Sequence, residues 1–296
     1  MPLKIDLQKL LFSSTWRLAP AGLVLAMLVS TADARPRRGG NAPRSNGQAP
    51  PATPVDSSAG ASTQTVAAVN DKDMQRALDF AGDSRKAMEN IKDYTAVFTK
   101  REVVGNRLTT QVMDMKFRQE PFSVYFGFRG PEAGREVIYV QGANNGNMLV
   151  HDTGINALAG TIALPPTSPQ VMKESRYPIT RAGCLSMLDA VIKQFEVEAR
   201  YEGSVVKFYP NAKLGEVPCQ VVEVTHPRQA REFRFYRTRL YVDKQTRIPV
   251  RVEQYAWPRS PQQQPPIVEE YTYANIRTNV GLTVQDFDPR NPNYRF

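Results

Sequence analysis

The chain has 296 residues, with 38 Lys and Arg against 29 Asp and Glu, a net charge of +9. Seven bases against three acids place +4 of that charge in the first 70 residues, leaving +5 spread over the other 226. So thin an excess speaks against nucleic acid as a partner, because a nucleic-acid binder gathers its bases into a stripe interleaved with aromatics.

At the N-terminus, Lys4, Lys9 and Arg17 lead an apolar run over 18–29 that is too short to span a bilayer. Ala32-Asp33-Ala34 follows, the small-x-small pattern at which a secretory leader is cut. Residues 1–34 therefore read as a signal peptide, and the protein as exported: periplasmic or otherwise in the cell envelope, soluble after cleavage near Ala34. No cysteine lies near that point, which argues against a lipoprotein anchor. Residues 35–70 are rich in Pro, Gly, Ser and Ala, carry four arginines and no aromatic, and cannot form a core. They read as a disordered basic linker. Residues 71–296 suffice for one well-buried domain.

Order is expected from Asp71. Met74, Leu78, Ala81, Met88 and Ile91 recur at helical spacing, giving an amphipathic helix. A strand follows over 94–104, with Tyr94, Ala96 and Phe98 on one face, and Gly105-Asn106 makes a hairpin turn. A meander continues over 112–117, 122–128, 134–141 and 147–151. In it Met113, Met115 and Phe117 alternate with polar residues, as do Val124, Phe126 and Phe128 in the next strand. Residues 155–183, with four prolines, are expected to form a long connection of the kind used as a lid or binding loop. A second helix is predicted over 183–198, then strands over 204–209, 219–225, 233–242, 248–257 and 268–277. Helices and strands do not alternate as βαβ, so the reading is α+β: about ten strands in a curved antiparallel sheet, with two main helices gathered on its concave face.

This order of elements resembles the LolA-like half-barrel of lipoprotein carriers. The similarity is closest in YVDKQTRIPVRVEQYAW and EEYTYANIRTNVGLTVQDFD, towards the C-terminus. The segments KDYTAVFTKRE, FSVYFGFRGPEAGREVIYVQG and DFDPRNPNYRF resemble a domain-of-unknown-function family of bacterial envelope proteins. The resemblance covers roughly residues 71–296 and implies a hydrophobic groove for acyl chains or other apolar ligands, hence a lipid or lipoprotein as partner. On the residues themselves, Phe98, Met113, Met115, Phe117, Val124, Phe126 and Phe128 are the candidate groove, since thioethers and rings adapt to a flexible apolar guest. The alternative is that the second helix fills that face as ordinary core.

Catalytic patterns are sparse. Asp152-Thr153-Gly154 ends an apolar strand as in aspartic proteases, but that chemistry needs two such loops and the chain has one. His151 and His226 are the only histidines and lack metal-ligand spacing, and there is no G-x-S-x-G elbow or phosphate loop. Glu102, Asp114 and Glu136 are candidate carboxylates for glycosidase chemistry, but scattered strand acids are expected on the wet face, which leaves a hydrolase the lesser alternative. No catalytic residue, metal or cofactor is assigned. Among Arg228, Arg231, Arg234, Arg237 and Arg239, the last three are candidate contacts for an anionic membrane surface or cell-wall polymer. Arg237 and Arg239 share one strand side. Cys184 and Cys219 can pair in an exported protein; a bridge closing about 35 residues would be worth roughly 3–4 kcal/mol. The other reading is two buried thiols.

Overall fold

A computed structural model describes residues 71–296. The expected signal peptide over 1–34 and linker over 35–70 lie outside the described residues. Helix α1 (Asp71–Met88) buries Met74, Ala77, Ala81, Ser84 and Met88 along one stripe and carries Arg85 and Lys86 in its last turn, where cations suit the helix dipole. Strands β1 (Asp93–Val104), β2 (Arg107–Arg118), β3 (Ser123–Gly130), β4 (Glu136–Val140), β5 (Met148–His151) and β6 (Thr161–Leu164) follow as one meander. The β1–β2 link is a two-residue turn in which Gly105 takes φ of 60°, the sign that matches the twist of paired strands. Next come the short α2 (Pro169–Met172) and α3 (Cys184–Glu198), then β7 (Val205–Leu214), β8 (Val217–Thr225), β9 (Arg237–Asp243), β10 (Pro249–Tyr255) and β11 (Ile267–Thr278).

All eleven strands form one open, curved antiparallel sheet in the order β6-β5-β4-β3-β2-β1-β11-β10-β9-β8-β7. Each meander pairs sequential neighbours, and the two are joined only where β1 meets β11, from Tyr94↔Thr278 to Glu102↔Glu269. The predicted α+β class holds, with one strand more than the expected ten. The extra strand is β6, which lies inside the predicted 155–183 connection. That connection also contains two 3-10 turns and α2, so it is not structureless.

The helices share one face of the sheet, here called the inner face. Helix α3 buries Met187, Leu188, Val191 and Phe195 in the core that holds Tyr94, Phe98, Val222, Leu240 and Val252. Helix α1 packs mainly on α3 and reaches β7, where the Phe80 ring meets Phe208 edge-on at 6.2 Å. Among the described residues no helix is long and apolar enough to cross a membrane. On the outer face, residues 282–296 strap the first meander. Tyr294 stacks on Tyr125 at 4.4 Å, and Phe287 joins Tyr125 and Ile138 in a second small core.

The expected Cys184–Cys219 bridge is absent: both thiols are free and buried. Cys184 opens α3 in the inner core, whereas Cys219 alternates with Val222 and Val224 on β8 and so faces the outer side. A sheet lies between them. Burial pushes the Cys184 thiol up to about 12, and burial together with nearby Asp243 pushes Cys219 up to about 11, leaving neither a ready nucleophile.

Candidate functional site

Strand register brings all seven candidate groove residues into three rows on the inner face. Phe98 faces Met113 and Met113 faces Phe128; Ala96, Met115 and Phe126 form the next row; Tyr94, Phe117 and Val124 form the third. Phe98 stacks at 5.8 Å on Phe126 and at 4.7 Å on Tyr273 of β11. Val137, Tyr139, Met148 and Val150 extend the apolar field onto β4 and β5. Of the seven, six are buried and Phe128 is half-buried.

What lies over this field is thin. The start of α3 covers one end: the Cys184 N–H donates to Tyr94 Oη at 2.9 Å, and a Cβ on Gly183 would sit 2.7 Å from the Phe117 ring. Ile162 and Leu164 of β6 continue the field beside Val150 and Met148, and beyond β6 Val171, Ile179 and Ala182 pack against the same core, each only half-buried. Over part of a buried aromatic and thioether floor, the roof that 171–182 contributes is thus only half-buried.

The same roof is tied down by a polar cluster that alternation places on the inner face. Lys100 and Glu102 continue the row of Tyr94, Ala96 and Phe98 along β1, so they point inward rather than to water. Glu102 accepts from Tyr271 Oη and from the Arg176 backbone N–H, the latter at 3.0 Å. Arg176 Nε donates to Glu269 at 2.6 Å, and its Nη1 donates to the Val103 carbonyl. Tyr177 Oη donates to Glu269 and accepts from Arg234 Nη2 at 2.6 Å, and Lys100 Nζ donates to Ser175 Oγ. Residues 175–177 thus dock on charged groups, not on the apolar rows. Burial lowers the pKa of the Lys100 ammonium, with Glu102 opposing. Burial raises that of Glu269, offset only in part by Arg176 and Arg234. Such a cluster is close to neutral in stability while closed, because desolvation offsets the attraction, and costly when one partner is lost.

The other candidate residues have local tasks. Asp152 accepts from Arg135 Nε at 2.9 Å and Nη2 at 3.2 Å, from the Thr153 N–H and from Asn156 Nδ2. Burial alone would raise its carboxyl, but these donors outweigh it and the net shift is downward. The Asp-Thr-Gly turn is therefore a clasp. Glu102 and Glu136, expected on the wet face, are both buried. Glu136 accepts from Tyr125 Oη at 2.8 Å and from the Arg295 N–H at 2.6 Å. Asp114 is exposed and pairs with Arg129 at 2.6 Å. Arg237 and Arg239 do share the outer face of β9, but both turn onto Glu223, at 3.6 and 2.6 Å. They belong to a ladder that runs on through Glu253, Arg251 and Glu270 to Arg101. Arg234 stands apart from them, at Tyr177.

One constellation escaped the sequence. His226 Nε2 lies 3.2 Å from Glu198 Oε1, and Ser204 Oγ lies 3.2 Å from His226 Nδ1. Each of the three is 1% exposed and Phe233 stacks on the imidazole at 3.9 Å, so no substrate reaches the serine. The set fastens the end of α3 to the start of the loop after β8. The serine, histidine and glutamate are too far apart in the chain for any spacing to announce them.

The family described as "Protein of unknown function (DUF1571)" matches residues 91–296. The chain belongs to that family. The matched region includes all eleven strands of the sheet and begins after α1. No curated protein matches the sequence. Among solved structures, similarity is found to lipoprotein LppX of Mycobacterium tuberculosis, with 14% identity, 71% of this chain and 98% of that one, and a TM-score of 0.42. A putative outer membrane lipoprotein-sorting protein domain from Vibrio parahaemolyticus gives 12%, 73%, 97% and 0.33. The LolA superfamily protein NE2245 of Nitrosomonas europaea gives 10%, 71%, 96% and 0.30.

Proposed function

We propose that this DUF1571 protein is an exported, non-enzymatic binding protein of the cell envelope. Its ligand is apolar or amphipathic, a lipid or the acyl chain of a lipoprotein, held against Phe98, Met113, Met115, Phe117, Val124, Phe126 and Phe128. The observation that carries this reading is the mismatch between floor and roof: a field of buried rings and thioethers beneath a half-exposed layer fastened through charged groups. A permanent core would be expected to seal such a field with equally buried side chains. Opening of 165–182 would uncover a surface suited to a flexible hydrocarbon. Residues 1–34 supply export and 35–70 the linker in this reading.

A second reading is favoured by the burial of six of the seven residues. In it the core stays filled, and the protein is an envelope module that recognises another protein or a cell-wall polymer. The two separate on one experiment. Protein recovered from its native envelope is sprayed intact and its lipid extract analysed, and the delipidated protein is titrated with a fluorescent fatty acid. Carriage predicts co-purifying lipid and saturable uptake that Met115→Trp abolishes. Lipid-free protein with no probe uptake would leave the filled-core module.

A further inference from the structure

Residues 153–172 contain no charged residue in a chain of which 23% is charged. Within this window a 3-10 turn over Gly154–Ala159 displays Ile155 at 85% and Leu158 at 88% exposure, the two most exposed large hydrophobic residues among those described. Three residues per turn put side chains at i and i+3 on the same side, so the two point outward together. The turn is pre-organised at its base. Arg135 grips Asp152, and Asp152 in turn accepts from the Thr153 N–H and from Asn156 Nδ2. Nothing in the core requires an isoleucine and a leucine to be held out in water by so ordered a clasp.

We infer that the 154–159 turn is a lipid-docking tip, with Ile155 and Leu158 entering the acyl boundary of an anionic bilayer. Three features favour a bilayer over a protein. The window offers no charge with which to form a polar rim, and it has no charge to desolvate on entering the headgroup layer. The adjoining edge strand β6 is four residues long and is stopped by Pro165 and Pro166, so it presents too little free backbone for strand addition. The charge beside the tip does not repel anionic lipid: Asp152 and Glu174 are both taken up by Arg135, and the exposed Lys173, next to Glu174, has no ion-pair partner among the described residues. Two side chains give only weak, reversible attachment, of the order of a single short acyl anchor. The inference names a surface apart from the inner face, and either could fail without the other.

The test uses the full chain with Leu158→Cys carrying an environment-sensitive NBD dye; Cys184 and Cys219 are buried and do not compete for label. A matching label at Val284→Cys, 74% exposed but outside the window, is the control. On adding phosphatidylglycerol-rich vesicles, NBD at position 158 should brighten several-fold and shift to the blue, more than with phosphatidylcholine, while NBD at 284 stays unchanged. Ile155→Asn and Leu158→Asn, both at solvent-exposed sites, should each weaken vesicle co-sedimentation about tenfold without altering the thermal transition. Three results would overturn the inference: no response at 158 with either lipid, brightening that tracks protein concentration without vesicles (a second copy), or undiminished vesicle binding by the double variant (attachment through another basic region).

Discussion

Replacing Arg176 by alanine should release the roof without melting the sheet. The variant keeps the Arg176 N–H bond to Glu102 but loses the 2.6 Å contact to Glu269 and the bond to the Val103 carbonyl. Glu269, with a side chain only 4% exposed, is left with Tyr177 alone. Orphaning a buried charge costs about 3–5 kcal/mol; the Arg176 side chain is 26% exposed, and screening there brings the figure to about 2–3 kcal/mol. If that falls on the opening step, the open population rises roughly 30- to 150-fold. Amide hydrogen exchange reads it directly: protection over 165–183 should drop by that factor, while amides of β1 and β11 keep theirs. Uptake of a fluorescent fatty acid should quicken in parallel. A uniform loss of protection across segment and sheet would refute the reasoning, because the segment would then be part of one cooperative core. So would an unchanged segment.

Gly183→Ala should cost about 2–4 kcal/mol in urea unfolding, since φ of 108° there suits glycine alone and the new methyl meets the Phe117 ring; Phe117→Leu should restore part of the loss. Reductant should leave the thermal transition unmoved, and a thiol reagent should titrate Cys184 and Cys219 only after denaturant is added. Either result failing would restore the bridge. Asp152 titrates below its ordinary 3.8, so the stability it supplies is present above that value and is lost as pH falls through its lowered folded value. Asp152→Asn should flatten this acid limb. Glu269 runs the opposite way: its folded value is raised, so its contribution is present at low pH and is lost as pH rises through it. Glu269→Gln should therefore remove a loss of stability seen on the alkaline side of the raised value, measured by urea unfolding across pH.

How much was legible in the chain depended on whether alternation alone decided a residue's place. The rows built on Phe98, Met115 and Phe126 were readable because three successive strands alternate cleanly and short turns fix their register. Strand β6 was not, since Thr161-Ile162-Ala163-Leu164 lies among prolines and becomes a strand only by pairing with β5. The polar cluster was half-readable. Lys100 and Glu102 share the parity of Phe98, which could have marked them as inward-facing, but their partners Arg176 and Glu269 come from elements far along the chain. Cysteine pairing failed for a related reason. Spacing measures the loop to be closed, whereas the side of β8 on which Cys219 falls decides whether closure is geometrically open at all.

The weld between β1 and β11 sets the timetable of folding. Phe98 and Tyr273, partners in the middle of the sheet, are separated by 175 positions, so the centre is completed only when β11, the last of the described strands, is available. Until then the two meanders have no shared seam, and closing so long a loop is slow. If the chain crosses a membrane unfolded, as the export proposed above requires, this arrangement keeps the native sheet from closing until β11 is through.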